Sequence, residues 1–154
     1  MKNKVVYASS SAYNIIPFLH AKSQLTIVTS GVKALTKAGE YGITVYSTGG
    51  KLISSCLSLI GDNAYETIAQ YNADICFISC RGLSEDGWLT GISSEENLVR
   101  RHMLKQSKTR VLLCDSKKFG QKYSSNLCHL KDIDVLISEK ELPEYLAEYS
   151  GIML

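Results

Sequence analysis

Apolar and β-branched residues gather in six short runs: KVVYA at 4–8, QLTIVT at 24–29, GITVYS at 42–47, ADICFIS at 73–79, TRVLLC at 109–114 and IDVLIS at 133–138. Their length and composition are those of buried strands. Longer segments with helical spacing separate them. Residues 12–21 carry apolar side chains at 12, 15, 16 and 19, residues 32–38 form a short helix, and 62–70 opens with Asp62 as a cap. The strongest helix signal covers 94–107, where Ser93 or Ser94 precedes Glu96 and Asn97, and Lys105 and Lys108 suit the negative end of the helix dipole. Residues 141–149 read as a last amphipathic helix before Gly151. Strands that are apolar along their whole length, with no alternation, belong to a parallel sheet covered on both faces. The predicted architecture is therefore an α/β three-layer sandwich with a mostly parallel sheet.

Composition narrows the class without changing the fold. The chain has 154 residues, of which 45% are hydrophobic and 21% charged, with 11 Gly and 2 Pro, which excludes collagen-like and disordered readings. A chain of this length buries about two thirds of its unfolded surface, so one domain over 1–154 is expected, with no need of a disulfide or metal. A net charge of +2 argues against a domain that binds nucleic acid by itself. No run approaches the roughly 18 apolar residues of a membrane span, and the start lacks a signal-peptide core, so a soluble, cytoplasmic protein is expected.

Cysteine and charge patterns add two points. Cys56, Cys76, Cys80, Cys114 and Cys128 are odd in number and mostly sit in apolar runs, as reduced core residues do. The Cys76–Cys80 spacing lacks the second ligand pair of a zinc site, and no metal or cofactor is expected. Residues 100–122 hold eight Lys or Arg against the single acid Asp115, whereas 131–154 hold six acids against two Lys. These are either two solvated faces or, for part of the basic segment, the wall of an anion pocket.

In a parallel α/β sheet, ligands bind beyond the carboxyl ends of the strands. Ser9, Ser10 and Ser11 follow the first strand and lead into a helix, an arrangement that offers hydroxyls and free amides to a phosphate. Thr29 and Ser30 follow the second strand. Gly49, Gly50 and Lys51 follow the third, where glycines let backbone approach an anion and the lysine neutralises it. Serine and threonine also cap helices, and a glycine pair also turns. Arg81 and Gly82 follow the fourth strand, and a guanidinium there faces the ligand end of the sheet. Asp86-Gly87 reads as a tight turn. Glu96 is either a capping partner or an acceptor for a sugar hydroxyl. After the fifth strand, Asp115 and Lys118 stand three residues apart, spaced so that they pair while the ammonium still reaches a phosphate.

The run Asp115-Ser116-Lys117-Lys118-Phe119-Gly120 resembles the aspartate, small, any, lysine, phenylalanine, glycine motif of the C-terminal sensor domain of DeoR-family bacterial transcriptional repressors. The likeness continues in order. Thr29-Ser30-Gly31-Val32 stands where that family has Thr-Asn-Ser-Leu, and Gly49-Gly50 matches its glycine pair. Gly61-Asp62-Asn63-Ala64, Asp74 through Phe77 with Gly82-Leu83, and the 96–103 helix follow. The first loop departs: Leu-Asp-Ser-Gly-Thr-Thr in the family is Tyr7-Ala8-Ser9-Ser10-Ser11-Ala12 here, which removes an acid, a glycine and one hydroxyl.

The resemblance implies the fold shared by ribose-5-phosphate isomerase, glucosamine-6-phosphate deaminase and CoA transferases. It also implies an effector that is a phosphorylated sugar or related metabolite, homo-oligomers (a dimer or tetramer), and DNA contact only through an N-terminal winged helix-turn-helix that these residues do not include. Its pocket would comprise Ser9, Ser10, Ser11, Thr29, Ser30, Gly49, Gly50, Arg81, Gly82, Glu96, Asp115 and Lys118. Two other readings stand beside it: a sugar-phosphate isomerase or deaminase with Glu96 and Lys118 as its working groups, and a domain that dimerises without a ligand. The isomerase reading lacks a clustered acid motif, because Ser79-Cys80-Arg81-Gly82-Leu83 occupies that place.

Overall fold

A computed structural model describes residues 4–20 and 24–154. From β1 (Lys4–Ala8) the chain runs through a 3-10 turn (Ser10–Ile15) and the single-turn α1 (Ile16–Leu19) to β2 (Leu25–Thr29) and α2 (Val32–Glu40). Next come β3 (Thr44–Ser47), a hairpin of β4 (Lys51–Ile53) and β5 (Ser58–Ile60), α3 (Asp62–Ala69) and β6 (Ala73–Ile78). The short strands β7 (Gly82–Leu83) and β8 (Trp88–Gly91) precede α4 (Ser94–Lys105) and β9 (Ser107–Leu113). A 3-10 turn (Ser116–Lys118), β10 (Ser125–His129), β11 (Val135–Ile137) and a 3-10 helix (Glu144–Ile152) complete the order.

Six strands form one parallel sheet in the order β11-β9-β6-β1-β2-β3. Its two faces are covered, as the unbroken apolar runs require. Val6 and Ala8 of β1 pack with Ala12, Ile16, Ala34 and Ala38 on one face. Tyr7 points to the other, among Ile68, Met103 and Leu112. Its buried hydroxyl donates to the carbonyls of Ile68 and Tyr71 at 2.7 and 2.8 Å, so the large ring enters the core with its polar atom satisfied. Burial is also the main cause that pushes the Tyr7 phenol above its ordinary range.

All six expected strands are present, and the differences are local. The third is shorter than 42–47 and is not buried: Gly42 turns at φ +68°, Ile43 still bonds the Ala38 carbonyl, and β3 is the exposed sheet edge. The first helix is mostly 3-10, and its expected last residue, Ala21, lies outside the described residues. Asp62 caps nothing with its side chain; Gly61 is the N-cap at φ +100°, and the Asp62 charge sits in the first turn, where the helix dipole favours it. The 94–107 helix stops at Lys105 because Ser107 already pairs in β9, and Ser93 is its cap, accepting from the Glu96 amide at 3.1 Å.

The final helix spans Glu144–Ile152, later than the expected 141–149, and is 3-10. Leu146, Tyr149 and Ile152, all packed on the core, recur every third residue, which is the period that aligns one face of a 3-10 helix. The β4–β5 hairpin and an antiparallel sheet of order β10-β8-β7 were not expected from the pattern. β4, β5 and β7 are two or three residues long, and β8 (WLTG) and β10 (SNLCH) mix polar with apolar residues, so none of them stands out as an apolar run. The Asp86-Gly87 turn is there, closed by a Gly87 amide bond to the Ser84 carbonyl, and it joins β7 to β8.

Candidate functional site

Strand order decides where a cleft can open. The chain lays β2 and β3 on one side of β1 and then returns to place β6 on the other, so the loops leaving β1 and β6 diverge. Such a switch point leaves a crevice beyond the carboxyl ends of the strands. A cleft of about 660 Å³ lies there, within the size range of small-molecule sites. Ser10 and Ser11 enter it from β1, Cys80 and Arg81 from β6, and Lys118 from the loop after β9. Gly91, Ile92, Ser93, Glu96 and Arg100 approach from β8 and α4, Tyr13 and Lys33 from the first 3-10 turn and α2, and Ile53, Ser55 and Cys56 from the β4–β5 hairpin.

Its polar groups are ordered by one another. The Ser10 hydroxyl donates to Glu96 Oε1 at 3.3 Å, and Arg100 Nη2 lies 3.5 Å from the same oxygen. Arg100 Nη1 also donates to Asn97 Oδ1 at 3.1 Å, and the buried Asn97 amide donates to the Ser125 carbonyl and hydroxyl at 3.1 and 3.0 Å. Lys118 Nζ donates to Ser79 Oγ at 2.9 Å and stands 4.0 Å from Asp115 Oδ2. The Arg81 guanidinium lies over the Tyr123 ring, 5.7 Å from its centroid, and Lys33 similarly over Tyr13 at 5.5 Å. Lys33, Arg81, Arg100 and Lys118 thus surround a cleft whose one lining carboxylate among the described residues, Glu96, is already engaged by Arg100. A net positive, partly enclosed cleft concentrates anions.

Behind the cleft wall, the lining residue Cys80 faces a second thiol. Cys80 Sγ and Cys114 Sγ lie 4.0 Å apart, both buried. The Cys114 thiol as hydrogen-bond partner, with the nearby Lys118 ammonium helping, holds Cys80 below the usual thiol range despite its burial. Cys114 is correspondingly pushed up, chiefly by the same bond.

Among the residues singled out from sequence, Ser10, Ser11, Arg81, Glu96 and Lys118 line the cleft. Ser9, Thr29, Ser30, Gly49, Gly50, Lys51, Gly82 and Asp115 do not. Ser9 is fully buried, its amide bonded to the Phe77 carbonyl and its hydroxyl without a partner among the described residues. Thr29 Oγ1 is spent on the Ala8 carbonyl at 2.7 Å and the Gly31 amide at 3.0 Å. Ser30 is buried, and its carbonyl accepts from the Leu59 amide. Gly49 and Gly50 turn at φ +68° and +110°, and a Cβ on Gly50 would stand 2.3 Å from the Ile60 carbonyl oxygen. Lys51 begins the hairpin and is exposed. A Cβ on Gly82 would meet the Gln121 carbonyl oxygen at 2.4 Å. Asp115 is exposed and caps the 116–118 turn through the Lys117 amide, which orients the lysine beside it.

Sequence reasoning did not single out Tyr13, Lys33, Ile53, Ser55, Cys56, Cys80, Gly91, Ile92, Ser93 or Arg100 as pocket residues. The basic segment was the available signal for Arg100. Of its eight cations, Arg100 and Lys118 line the cleft, while Arg101 and Arg110 serve carbonyls and Lys108 and Lys122 pair with Asp74 and Asp86. Cys56 departs from the core reading, being exposed in the hairpin; the other four cysteines are buried.

The six-stranded parallel sheet with a crevice at its switch point is an α/β fold shared with ribose-5-phosphate isomerase and CoA-transferase. Ribose 5-phosphate isomerase A from Methanocaldococcus jannaschii superposes with a TM-score of 0.54 at 15% identity, over 77% of this chain and 48% of that one. For 4-hydroxybutyrate CoA-transferase from Porphyromonas gingivalis the TM-score is 0.60 at 14% identity, over 92% and 36%. At these identities the likeness is one of fold. The family follows from sequence: residues 4–140 match the DeoR C terminal sensor domain, and the chain belongs to that family. Its curated relatives include the HTH-type transcriptional regulator GolR of Listeria innocua, 29% identical over 92% of this chain and 56% of the relative. The HTH-type transcriptional repressor GlcR of Bacillus subtilis is 31% identical over 75% and 45%. The chain thus spans about half the length of these relatives. Both are transcriptional regulators, in keeping with a non-enzymatic role.

Proposed function

We propose that this chain is the effector-sensing and oligomerising part of a DeoR-type transcriptional repressor, acting in the cytoplasm. The effector is a phosphorylated sugar or a related anionic metabolite. It binds in the cleft between the β1 and β6 loops and modulates DNA contact by a winged helix-turn-helix outside these 154 residues. One observation carries the reading: with Glu96 engaged by Arg100, three further cations, Lys33, Arg81 and Lys118, line the cleft. A phosphate among Lys118, Arg81 and the hydroxyls of Ser10 and Ser11 gains charge-assisted hydrogen bonds. Sugar hydroxyls then face Glu96 and Ser93. The effector acts by preferring one arrangement of the oligomer over another.

No helix among the described residues is long and apolar enough to cross a membrane, which agrees with the proposed location. The test is a thermal-shift panel of ribose, glucose and glucosamine phosphates with the unphosphorylated sugars as controls. A ligand at about a hundredfold its dissociation constant stabilises by about 2.7 kcal/mol, a shift of several degrees. Shifts confined to phosphorylated compounds and removed by Lys118→Ala support the reading. An unmoved melting temperature at millimolar ligand overturns it in favour of ligand-free dimerisation. Turnover of the same compounds overturns it in favour of an isomerase.

A further inference from the structure

Cys80 and Cys114 lie just beyond the carboxyl ends of two neighbouring strands. The β6 and β9 strands are paired in parallel with Ile78 opposite Leu112, and each cysteine lies two residues further on. The paired strands that lead into them run about 4.8 Å apart, and a disulfide tolerates a Cα separation of about 4.4–6.8 Å. The sulfurs, at 4.0 Å, already face each other. Joining them therefore asks for side-chain rotation and a small approach, with no refolding. Access comes from the cleft, since Cys80 is one of its lining residues.

From this placement we infer that Cys80 and Cys114 are an oxidant-responsive modification site, closed to an intramolecular disulfide by hydroperoxides that enter the effector cleft. The Cys80 thiolate attacks the distal oxygen of the peroxide. The O–O bond breaks, Cys80 becomes a sulfenic acid, and the leaving alkoxide or hydroxide takes a proton from water or the Lys118 ammonium. The Cys114 sulfur then attacks the sulfenic sulfur, the S–O bond breaks, and the thiol proton leaves with the hydroxyl as water. Two thiols and one hydroperoxide give one disulfide, one alcohol (or water) and one water, with the peroxide as the two-electron oxidant.

The remaining cysteines differ. Cys76 and Cys128 are buried and pushed up to about 12, mainly by that burial, so they stay protonated. Cys56 is exposed, lines the same cleft and is likewise raised, chiefly by desolvation and then by the neighbouring Glu96 charge. The consequence reaches the cleft directly. Arg81 follows Cys80 and the turn that carries Lys118 follows Cys114, so a bond between the sulfurs draws together the loops that present these two cations.

The test uses the 154-residue chain with Cys56→Ser, treated with hydrogen peroxide and mapped by mass spectrometry. Both thiols of the pair should be lost together, with a mass decrease of two hydrogens, a peptide joining Cys80 to Cys114, and full recovery in dithiothreitol. Cys80→Ser and Cys114→Ser in the same background should lose the cross-linked peptide. A peptide map of the chain with all five cysteines decides the matter even if those variants fail to fold. Oxidation confined to Cys56, a Cys56–Cys80 link, a sulfinic acid at Cys80 without cross-linking, or no change under peroxide overturns the inference. None of these outcomes depends on the identity of the effector, so this test and that of the proposed function fail separately.

Discussion

The Ser10 hydroxyl and the Glu96 carboxylate, 86 residues apart in the chain, meet at 3.3 Å across the cleft. The contact joins the loop after β1 to the first turn of α4, and Arg100 one turn later lies against the same oxygen. It makes a hydroxyl that could receive an anion also the partner of a carboxylate. An anion arriving at Ser10 must displace Glu96 or share the hydroxyl with it, which links occupancy of the cleft to α4 and, through Asn97, to Ser125 on β10.

Lys118→Ala should weaken binding of a phosphorylated effector by roughly ten- to a hundredfold, because a hydrogen bond to a charged group contributes about 1.5–3 kcal/mol. Isothermal titration on the active sugar phosphate measures this. Since the lysine is only partly buried, the melting temperature of the unliganded variant should stay near that of the parent.

Asn97→Ala should destabilise the domain by about 1–3 kcal/mol, the cost of leaving buried polar partners unmade. The amide bridges α4 to both the carbonyl and hydroxyl of Ser125 and accepts from Arg100. At about 2–4 °C per kcal/mol for a domain of this size, a calorimetric melting curve resolves the change.

Gly82→Ala should act on folding instead of on ligand chemistry. Its added Cβ would stand 2.4 Å from the Gln121 carbonyl oxygen, a backbone atom that cannot swing away. Overpacking of this kind costs about 1–3 kcal/mol. Urea unfolding should show a lower midpoint with an unchanged slope, whereas a residue needed only for the effector would leave the midpoint where it was.

Glu139 governs an acid response. Its carboxylate accepts from the Ser116 hydroxyl and amide, which hold it down at about 2 against an ordinary 4.5. A carboxyl depressed in the folded state contributes stability above its unfolded value and loses it as pH falls towards the folded one. The melting temperature should therefore drop between about pH 4.5 and about pH 2, and Glu139→Gln should flatten that part of the profile. The bond anchors the turn that carries Lys118, so effector binding at the proposed site should weaken over the same interval.

Local sequence was enough to place the six strands of the main sheet, their parallel arrangement, a helix beginning at Ser93 or Ser94 and the loops at the carboxyl ends. Each rests on a period or cap that is complete within a few residues, as the unbroken burial of β2 illustrates. The tail between Pro143 and Met153 showed where such reasoning stops: apolar residues three apart fit a short helix, and only packing on the core selected 3-10 over α.

Which loops meet was decided by tertiary structure. Thr29, Ser30 and Gly49 follow strands as Ser10 does, yet β2 and β3 lie on one side of the switch point and their polar groups are turned to backbone. Cys56 and Ile53 reached the cleft on a hairpin too short to announce itself, and Arg100 reached it from the second turn of α4. Hydrophobic period reports which face of an element is buried. The neighbour it is buried against depends on strand order and crossover, set by contacts between residues many tens of positions apart, and at this site those contacts separate Ser10 from Ser9.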